Sequence, residues 1–478
     1  MPATADLLLR PLLLCAALGL ALGGCATVDP EQRFTGVREA VGERLSQTVA
    51  WTRDPRTSEA AQGAVRRLLA DELGADEAVQ IALLNNRRLQ AQFESLGIAQ
   101  ADLVEAGLLE NPVFSLTVYS GDAGNIVDGA VLQDFIGLLS LSLRKKIAGA
   151  QADRATAEAA QAALQLAADV KTQYYTVLGD AQALELAQQI VASTQAAAEL
   201  ARRQYDAGTL SRREQAIQQA FYAQSALEVA QAQVQLAADR ERLNRLLGLW
   251  GEDTTWKVPM RLPRVPEQLP AMETLEAAAV AQRLDLFAAK KEAEAAAQAL
   301  NLTRQFRYLS SLGIGVAYKR EENGEEFFGP EIELGLPLFN QGQGRIARAE
   351  AEYRRSQGNL QALAVEIRSE TRAARDRLIA AQDAARHLET ALLPLQQSIV
   401  EETLKFYNGM LVGVYDLLLA QQGQVQSARQ YVASVKEFWT AWAELERALG
   451  GRVPLAETSA ATIVPDATAA NDQPHHIH

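Results

Sequence analysis

Cysteine is almost absent from this 478-residue chain. The two present are Cys15 and Cys25. Both lie at the N-terminus, and a mature chain starting at Cys25 could form no internal disulfide. There are four histidines, and His387 is the only one outside the C-terminal tail. With one histidine in the body, no Ser/His/Asp set can be assembled. No Gly-rich phosphate loop occurs either, nor any Cys/His metal spacing in the body. The sequence therefore predicts no enzyme and no cofactor. Basic residues are outnumbered, giving a formal net charge of −13. No basic stripe is available to neutralise phosphates, which excludes nucleic acid as a partner. The apolar run Leu12–Leu22 is too short to cross a membrane as a helix, and with Arg10 before it reads as the core of a signal peptide.

That run ends in Leu22-Gly23-Gly24-Cys25. Small residues ahead of a cysteine resemble the bacterial lipobox, in which the thiol carries lipid. Residues 1–24 are then a lipoprotein signal peptide, and Cys25 is the expected lipidation site. Ala26 follows where Asp favours retention at the inner membrane, so the expected destination is the outer membrane.

Proline is missing from Val113 to Val258. What fills that space is helix-forming sequence, and the chain states it twice. Tyr205–Gly248 and Tyr407–Gly450 match at a constant offset of 202, from 205 to 407 and from 248 to 450. Each copy opens on Tyr and turn residues, runs through a long Pro-free stretch and stops at Leu-Gly. Asp76–Leu89 resembles Glu273–Leu286, and Lys146–Ala150 resembles Arg345–Ala349. A duplication this long means two similar halves. The expected plan is an N-terminal anchor segment at 25–75, loosely structured, a first repeat at 76–250, an extended Pro-rich connector at 251–270, a second repeat at 271–450 and a disordered tail at 451–478.

Each half reads as helix, strand pair, long helix, turn, long helix. Asp76 is the expected N-cap of the first helix, which runs to Ala106 before Asn111-Pro112 breaks it. Val113–Ser120 is a strand, its return near Ala130–Gln133 is less regular, and Phe135–Leu143 fits a strand end or a helix start. The second hairpin is sharper. Leu312, Ile314, Val316 and Tyr318 alternate with Gly313, Gly315 and Ala317. Ile332, Leu334, Leu336 and Leu338 alternate with Glu331, Glu333, Gly335 and Pro337. Four strands cannot close a membrane barrel, which needs about eight or more with no open edge. Either several chains share one barrel, or the four strands cap a helical bundle with their apolar face upon it; on strand pattern alone both arrangements stand. Lys145–Gln204 would make a rod of about 90 Å at about 1.5 Å per residue. Asp206–Thr209 turns the first rod and Asn408-Gly409 the second. Pro394 should perturb the second rod, whereas its counterpart Ala192 should not.

In order, these features resemble the TolC-type outer membrane efflux family over residues 75 to 450, and Asn85-Asn86-Arg87-Arg88-Leu89 with the lipobox resembles its heavy-metal and drug exit ducts. The resemblance implies a mainly α chain of long coiled-coil hairpins plus four strands. It implies a homotrimer that closes a twelve-stranded barrel surrounded by outer membrane lipids and continues as a helical tunnel. A periplasmic adaptor and an inner-membrane pump of the RND type would feed it. Tyr205, Gly208, Thr209, Leu210 and Ser211, with Tyr407, Gly409, Leu411, Gly413 and Val414, match the family's periplasmic tips. Gly208, Gly409 and Gly413 are expected to supply backbone freedom there. Asp416 matches an acidic gate position, with Leu419 where some relatives carry a second acid; a helix N-terminal Asp stabilised by the macrodipole is the other reading. His475, His476 and His478 could bind a divalent metal or be a loose terminus. Metal ions or small toxic compounds are the expected cargo. The alternatives are a structural periplasmic coiled-coil lipoprotein and a duct for type I protein secretion.

Overall fold

The computed structural model describes residues 28–453 apart from 122, 123, 271, 273 and 310. Cys25 and the tail histidines lie outside the described residues. The chain forms two compact units. One gathers Met1–Phe34, Glu94–Ala155 and Lys291–Ser356; the other gathers Thr35–Phe93, Thr156–Lys290 and Gln357–His478. Each unit draws on both sequence repeats.

In chain order the helices are α1 (Glu31–Leu45), α2 (Pro55–Leu68), α3 (Ala75–Asn85), α4 (Arg87–Ala106), α5 (Phe135–Asp206), α6 (Arg212–Leu247), α7 (Leu275–Gln282), α8 (Leu284–Gln305), α9 (Gln343–His387), α10 (Leu393–Asn408) and α11 (Val414–Leu449). The strands are β1 (Val113–Gly121), β2 (Gly124–Asp134), β3 (Leu312–Arg320) and β4 (Glu326–Leu334).

The first unit is built on one antiparallel sheet of order β1-β2-β3-β4. The hairpin of one repeat joins the hairpin of the other through β2 and β3, with Val131 opposite Val316 and Ala130 opposite Ala317. β2 runs straight into α5. Asp134 decides that switch: its carboxylate accepts from the N–H groups of Ile136 at 3.1 Å and Gly137 at 2.7 Å, an N-terminal cap that starts the helix. Phe135–Leu143 is therefore helix. β4 ends at Leu334, so Leu336 and Leu338 lie beyond the strand.

The second unit is helical. Phe438, Trp442, Leu445, Ile367, Leu378 and Leu286 form the centre of its core. The connector is not merely extended. Trp439 donates to Pro263 O at 2.9 Å, Trp256 donates to Asn244 Oδ1 at 2.7 Å, and the Arg240 guanidinium lies over the Trp256 ring. These contacts strap the connector to α6 and α11. The region expected to be loose also folds into helices. Phe34, Val37, Val41 and Leu45 form a buried stripe at helical spacing on α1, and Asp54 and Thr57 make a reciprocal capping box that starts α2 at Pro55.

Asp76 is not the N-cap of α3; Gly74 holds that position and Asp76 stands in the first turn. The helix then breaks at Asn86. Asn86 Oδ1 caps α4 through the Leu89 N–H, while its amide and that of Asn85 donate to the carbonyls of Leu246, Leu247 and Gly248. The two asparagines thus satisfy both a helix start and the last carbonyls of α6. Gly248 and Gly450 end the two return helices at φ of 71° and 75°. At Gly248 a Cβ would also meet the Asn85 carbonyl oxygen at 2.7 Å, so Leu-Gly is required there.

α5 continues without interruption through Ala192. Its counterpart does not: one π turn at Leu388–Leu392 separates α9 from α10, with Pro394 at the start of α10 and the Leu393 N–H reaching Leu388 O. A proline cannot donate to the helical ladder, and the wider turn absorbs the missing bond.

Candidate functional site: a two-faced sheet and two hairpin tips

The strands are 9, 11, 9 and 9 residues long. A strand tilted across a bilayer needs about 9–11 residues. Cross-strand partners share a face, so the register sorts the side chains. One face carries Phe114, Leu116 and Val118 of β1, Val127, Gly129 and Val131 of β2, Ile314, Val316 and Tyr318 of β3, and Phe328, Pro330 and Ile332 of β4. The other carries Ser115, Thr117, Asp128, Ala130, Gly313, Gly315, Ala317, Lys319, Gly329, Glu331 and Glu333, with Leu132 among them and Val113, Tyr119, Ile126 and Phe327 towards the strand ends. Greasy and small-or-polar positions are thus segregated through the middle of the sheet, with Ser120, Asn125, Gln133, Arg320 and Glu326 as polar positions towards the ends of the greasy face.

Among the described residues no helix covers the greasy face. Phe114, Leu116, Val118, Val131, Ile314, Val316, Phe328 and Ile332 are 41–74% exposed. The bundle-capping arrangement requires them buried, and they are not. β1 and β4 also end the sheet with unpaired backbone edges within the chain. Among the described residues no helix is long and apolar enough to cross a membrane, which leaves a β-barrel untouched.

The small face has its own packing reason. A Cβ at Gly315 would fall 1.9 Å from the Val131 carbonyl oxygen. The strands approach there more closely than any side chain permits.

At the helix ends the duplication extends to individual hydrogen bonds. In the first tip Gly208 N–H donates to Tyr205 O at 2.9 Å and Thr209 N–H to Gln204 O at 2.9 Å. In the second, Met410 N–H donates to Tyr407 O at 3.0 Å and Leu411 N–H to Phe406 O at 2.9 Å. Every partner is displaced by the same 202 residues. Ser211 caps α6 in a reciprocal box with Glu214. At the equivalent place the Asp416 carboxylate accepts the Gly413 N–H at 3.1 Å. Asp416 is thereby engaged at the N-terminus of α11.

The glycine expectation holds only in part. Gly208 has φ of 74°. Gly409 and Gly413 have φ of −79° and −82° and need no special freedom. The left-handed position of the second tip falls on Met410, at φ of 56° and 94% exposed. A side chain in that conformation costs about 1–2 kcal/mol. The tips also differ in chemistry. Phe406, Met410, Leu411 and Leu419 project apolar surface from the second, whereas Asp206, Thr209, Arg212 and Arg213 make the first polar.

Burial pushes the Tyr415 hydroxyl above its ordinary pKa, and the Glu214 carboxylate adds to this. The Ser211 hydroxyl and N–H hold the Glu214 carboxyl below its usual value. Glu214 and Met410 were not singled out in the sequence. The first was legible as the Ser-x-x-Glu box and the second as the residue standing 202 beyond Gly208.

A duplicated helical hairpin joined to a four-stranded two-faced sheet is the fold of TolC-type outer membrane channels, as the sequence pattern led one to expect. The chain is 24% identical over 393 residues to the cobalt-zinc-cadmium resistance protein CzcC of Cupriavidus metallidurans, covering 80% of this chain and 91% of the relative. Its fold is similar to that of the outer membrane protein VceC of Vibrio cholerae, with a TM-score of 0.63, 17% identity and coverage of 84% and 98% of the two chains. It is likewise similar to the CmeC outer membrane channel of Campylobacter jejuni, with a TM-score of 0.66, 14% identity and coverage of 80% and 87%. No family model matches the sequence.

Proposed function

We propose that this protein is the outer membrane exit duct of a tripartite efflux system. It acts passively: an inner-membrane pump, of the RND type in this reading, supplies the energy, and a periplasmic adaptor joins the two. One observation carries the reading, the uncovered apolar face of a sheet whose opposite face is small and polar. Such a face needs lipid, and such edges need partners, because hydrocarbon satisfies no backbone group. Three copies give twelve strands and a closed barrel. A periplasmic scaffolding lipoprotein leaves the greasy face without a solvent.

In this reading Cys25 carries lipid as a second anchor. The tips at Tyr205–Ser211 and Tyr407–Val414 receive the adaptor, the second through its apolar crest. Asp416 and Leu419 line the constriction, with the Asp416 carboxylate still available to cations beyond its cap bond. The likeness to a cobalt-zinc-cadmium resistance protein supports metal ions as cargo; small toxic compounds or exported proteins are the other cargoes to compare. The histidines at 475, 476 and 478 are spare metal ligands in this scheme.

The test is deletion of the gene followed by side-by-side measurement of resistance to cobalt, zinc, cadmium, copper and common drugs, together with protein export. Sensitisation to divalent metals supports the reading. Unchanged resistance to all of them with lost export would replace it with the secretion duct.

A further inference from the structure

Within the helical unit, three long helices meet around two carboxyl groups. Asp180 lies on α5, Asp239 on α6 and Lys436 on α11. Both aspartates are buried, Asp239 completely and Asp180 to all but 9%. Lys436 Nζ donates to Asp180 Oδ1 at 2.9 Å. The other oxygen, Oδ2, is buried and has no donor. Asp239 acts directly on the Asp180 carboxyl, so a proton is the donor that this buried oxygen lacks. Asp239 already accepts from Gln173 Nε2 at 3.0 Å, Gln235 Nε2 at 2.6 Å and the Arg242 guanidinium at 2.7 Å. Two ionised carboxylates cannot bond to each other, since each is acceptor-only.

A second feature shows that the crossing is built. The stem of Lys436 rests on Gly179, where a Cβ would lie 2.5 Å from its Cδ. Only bare backbone on α5 admits the lysine to Asp180. Other ties of α11 to the first repeat are Lys171 with Glu446 at 2.7 Å, Arg429 with Glu228, and the Trp439 ring stacked on Tyr175 at 5.2 Å. The Asp180 crossing lies between them along α11.

We propose that Asp180 and Asp239 share one proton, and that this proton, with Lys436, fastens the helical hairpin of the first repeat to the return helix of the second. The proton sits on Asp180 Oδ2 and is donated to Asp239, which stays ionised against its amide and guanidinium donors. The charged groups acting on Asp180 are Lys436 from α11 and Asp239 from α6, with Arg242 reaching Asp239 rather than Asp180. From the connector, the Leu262 N–H donates to Gln182.

The pH response follows from the directions. Burial, and then Asp239, hold the Asp180 carboxyl above the usual carboxylate range. Burial pushes Asp239 up as well, but its hydrogen bonds from Asp180, Gln173, Gln235 and Arg242 hold it below that range. The contribution of Asp180 is complete below the ordinary carboxylate pKa and is lost as pH rises through its raised value. That of Asp239 is present above the ordinary value and lost as pH falls through its depressed one. Between the depressed value of Asp239 and the raised value of Asp180 one proton is held and the crossing is tight. Above that interval two buried carboxylates oppose each other across α5 and α6 with one lysine between two repeats, and the crossing loosens.

This inference is independent of what the helices conduct, and its test reads the proton directly. Infrared spectra of the full-length protein in detergent, at a pH where exposed carboxylates are ionised, are expected to show the carbonyl stretch of a buried carboxylic acid. The band should vanish in Asp180→Asn, whose amide both donates to Asp239 and accepts from Lys436. Hydrogen exchange at the backbone around Asp180 and Lys436, corrected for the intrinsic rate, should speed by up to about tenfold per pH unit in the wild type as the proton is lost, and stay flat in Asp180→Asn. Lys436→Met should move the transition to higher pH. A wild-type spectrum without the band, or a pH slope unchanged in Asp180→Asn, overturns the proposal.

Discussion

Val316 and Ala317 are neighbours in β3 and point to opposite faces of the sheet. Val316 lies between Val131 and Pro330 on the greasy face, and Ala317 between Ala130 and Gly329 on the small one. Both stand in mid-strand, so depth in a bilayer is matched. An arginine on the lipid side of a barrel at the midplane costs about 2–4 kcal/mol, and a trimer carries three, so Val316→Arg removes about 6–12 kcal/mol per barrel. That is comparable with the whole stability of an ordinary folded domain, about 5–15 kcal/mol. Ala317→Arg puts the same charge on the face away from lipid, between Ala130 and Gly329, and should leave assembly nearly intact. The assay is the fraction of heat-resistant oligomer recovered after outer membrane extraction, followed by denaturant unfolding in lipid vesicles. Val316→Arg should abolish the oligomer and Ala317→Arg should retain it. Equal effects, or the reverse order, would refute the assignment of faces.

Further outcomes can be checked separately. Met410→Gly relieves a left-handed side chain and should slow hydrogen exchange across residues 406–414 by an amount corresponding to about 1 kcal/mol, while Gly208→Ala at the equivalent place should speed it similarly at the first tip. Gly315→Ala places a Cβ against the Val131 carbonyl and should lower the unfolding midpoint of the sheet far more than Gly329→Ala, where nothing lies within 4 Å. Asn86→Ala removes both the α4 cap and a donor to Leu246 O, and should cost about 1–2 kcal/mol in denaturant unfolding.

Much of this molecule is written in repetition. The offset of 202 locates both tips, both Leu-Gly ends and, through Ser211 and Gly413, both helix starts. The second hairpin is legible because glycines alternate with branched residues. The first is blurred because apolar residues continue from β2 into Phe135–Leu143, and only the Asp134 cap separates strand from helix. What spacing hides is partnership between distant segments. Nothing near Trp256 or Trp439 in sequence announces that the connector is pinned by their indole N–H groups. Gly179 looks like an interruption of α5 until Lys436 lies across it. Met410 is hidden for another reason. The glycine beside it invites the turn, yet the hydrogen-bond pattern inherited from the first repeat places the left-handed residue one position later.

The central claim is that sheets from separate copies close into a lipid-surrounded pore. Single-channel recording of the purified full-length protein in a planar bilayer tests it most directly. Uniform conductance steps, appearing with the oligomeric fraction and lost in Val316→Arg, are the predicted result. Folded protein that inserts through its lipid anchor yet never carries current, whether or not the tips are opened, would contradict it.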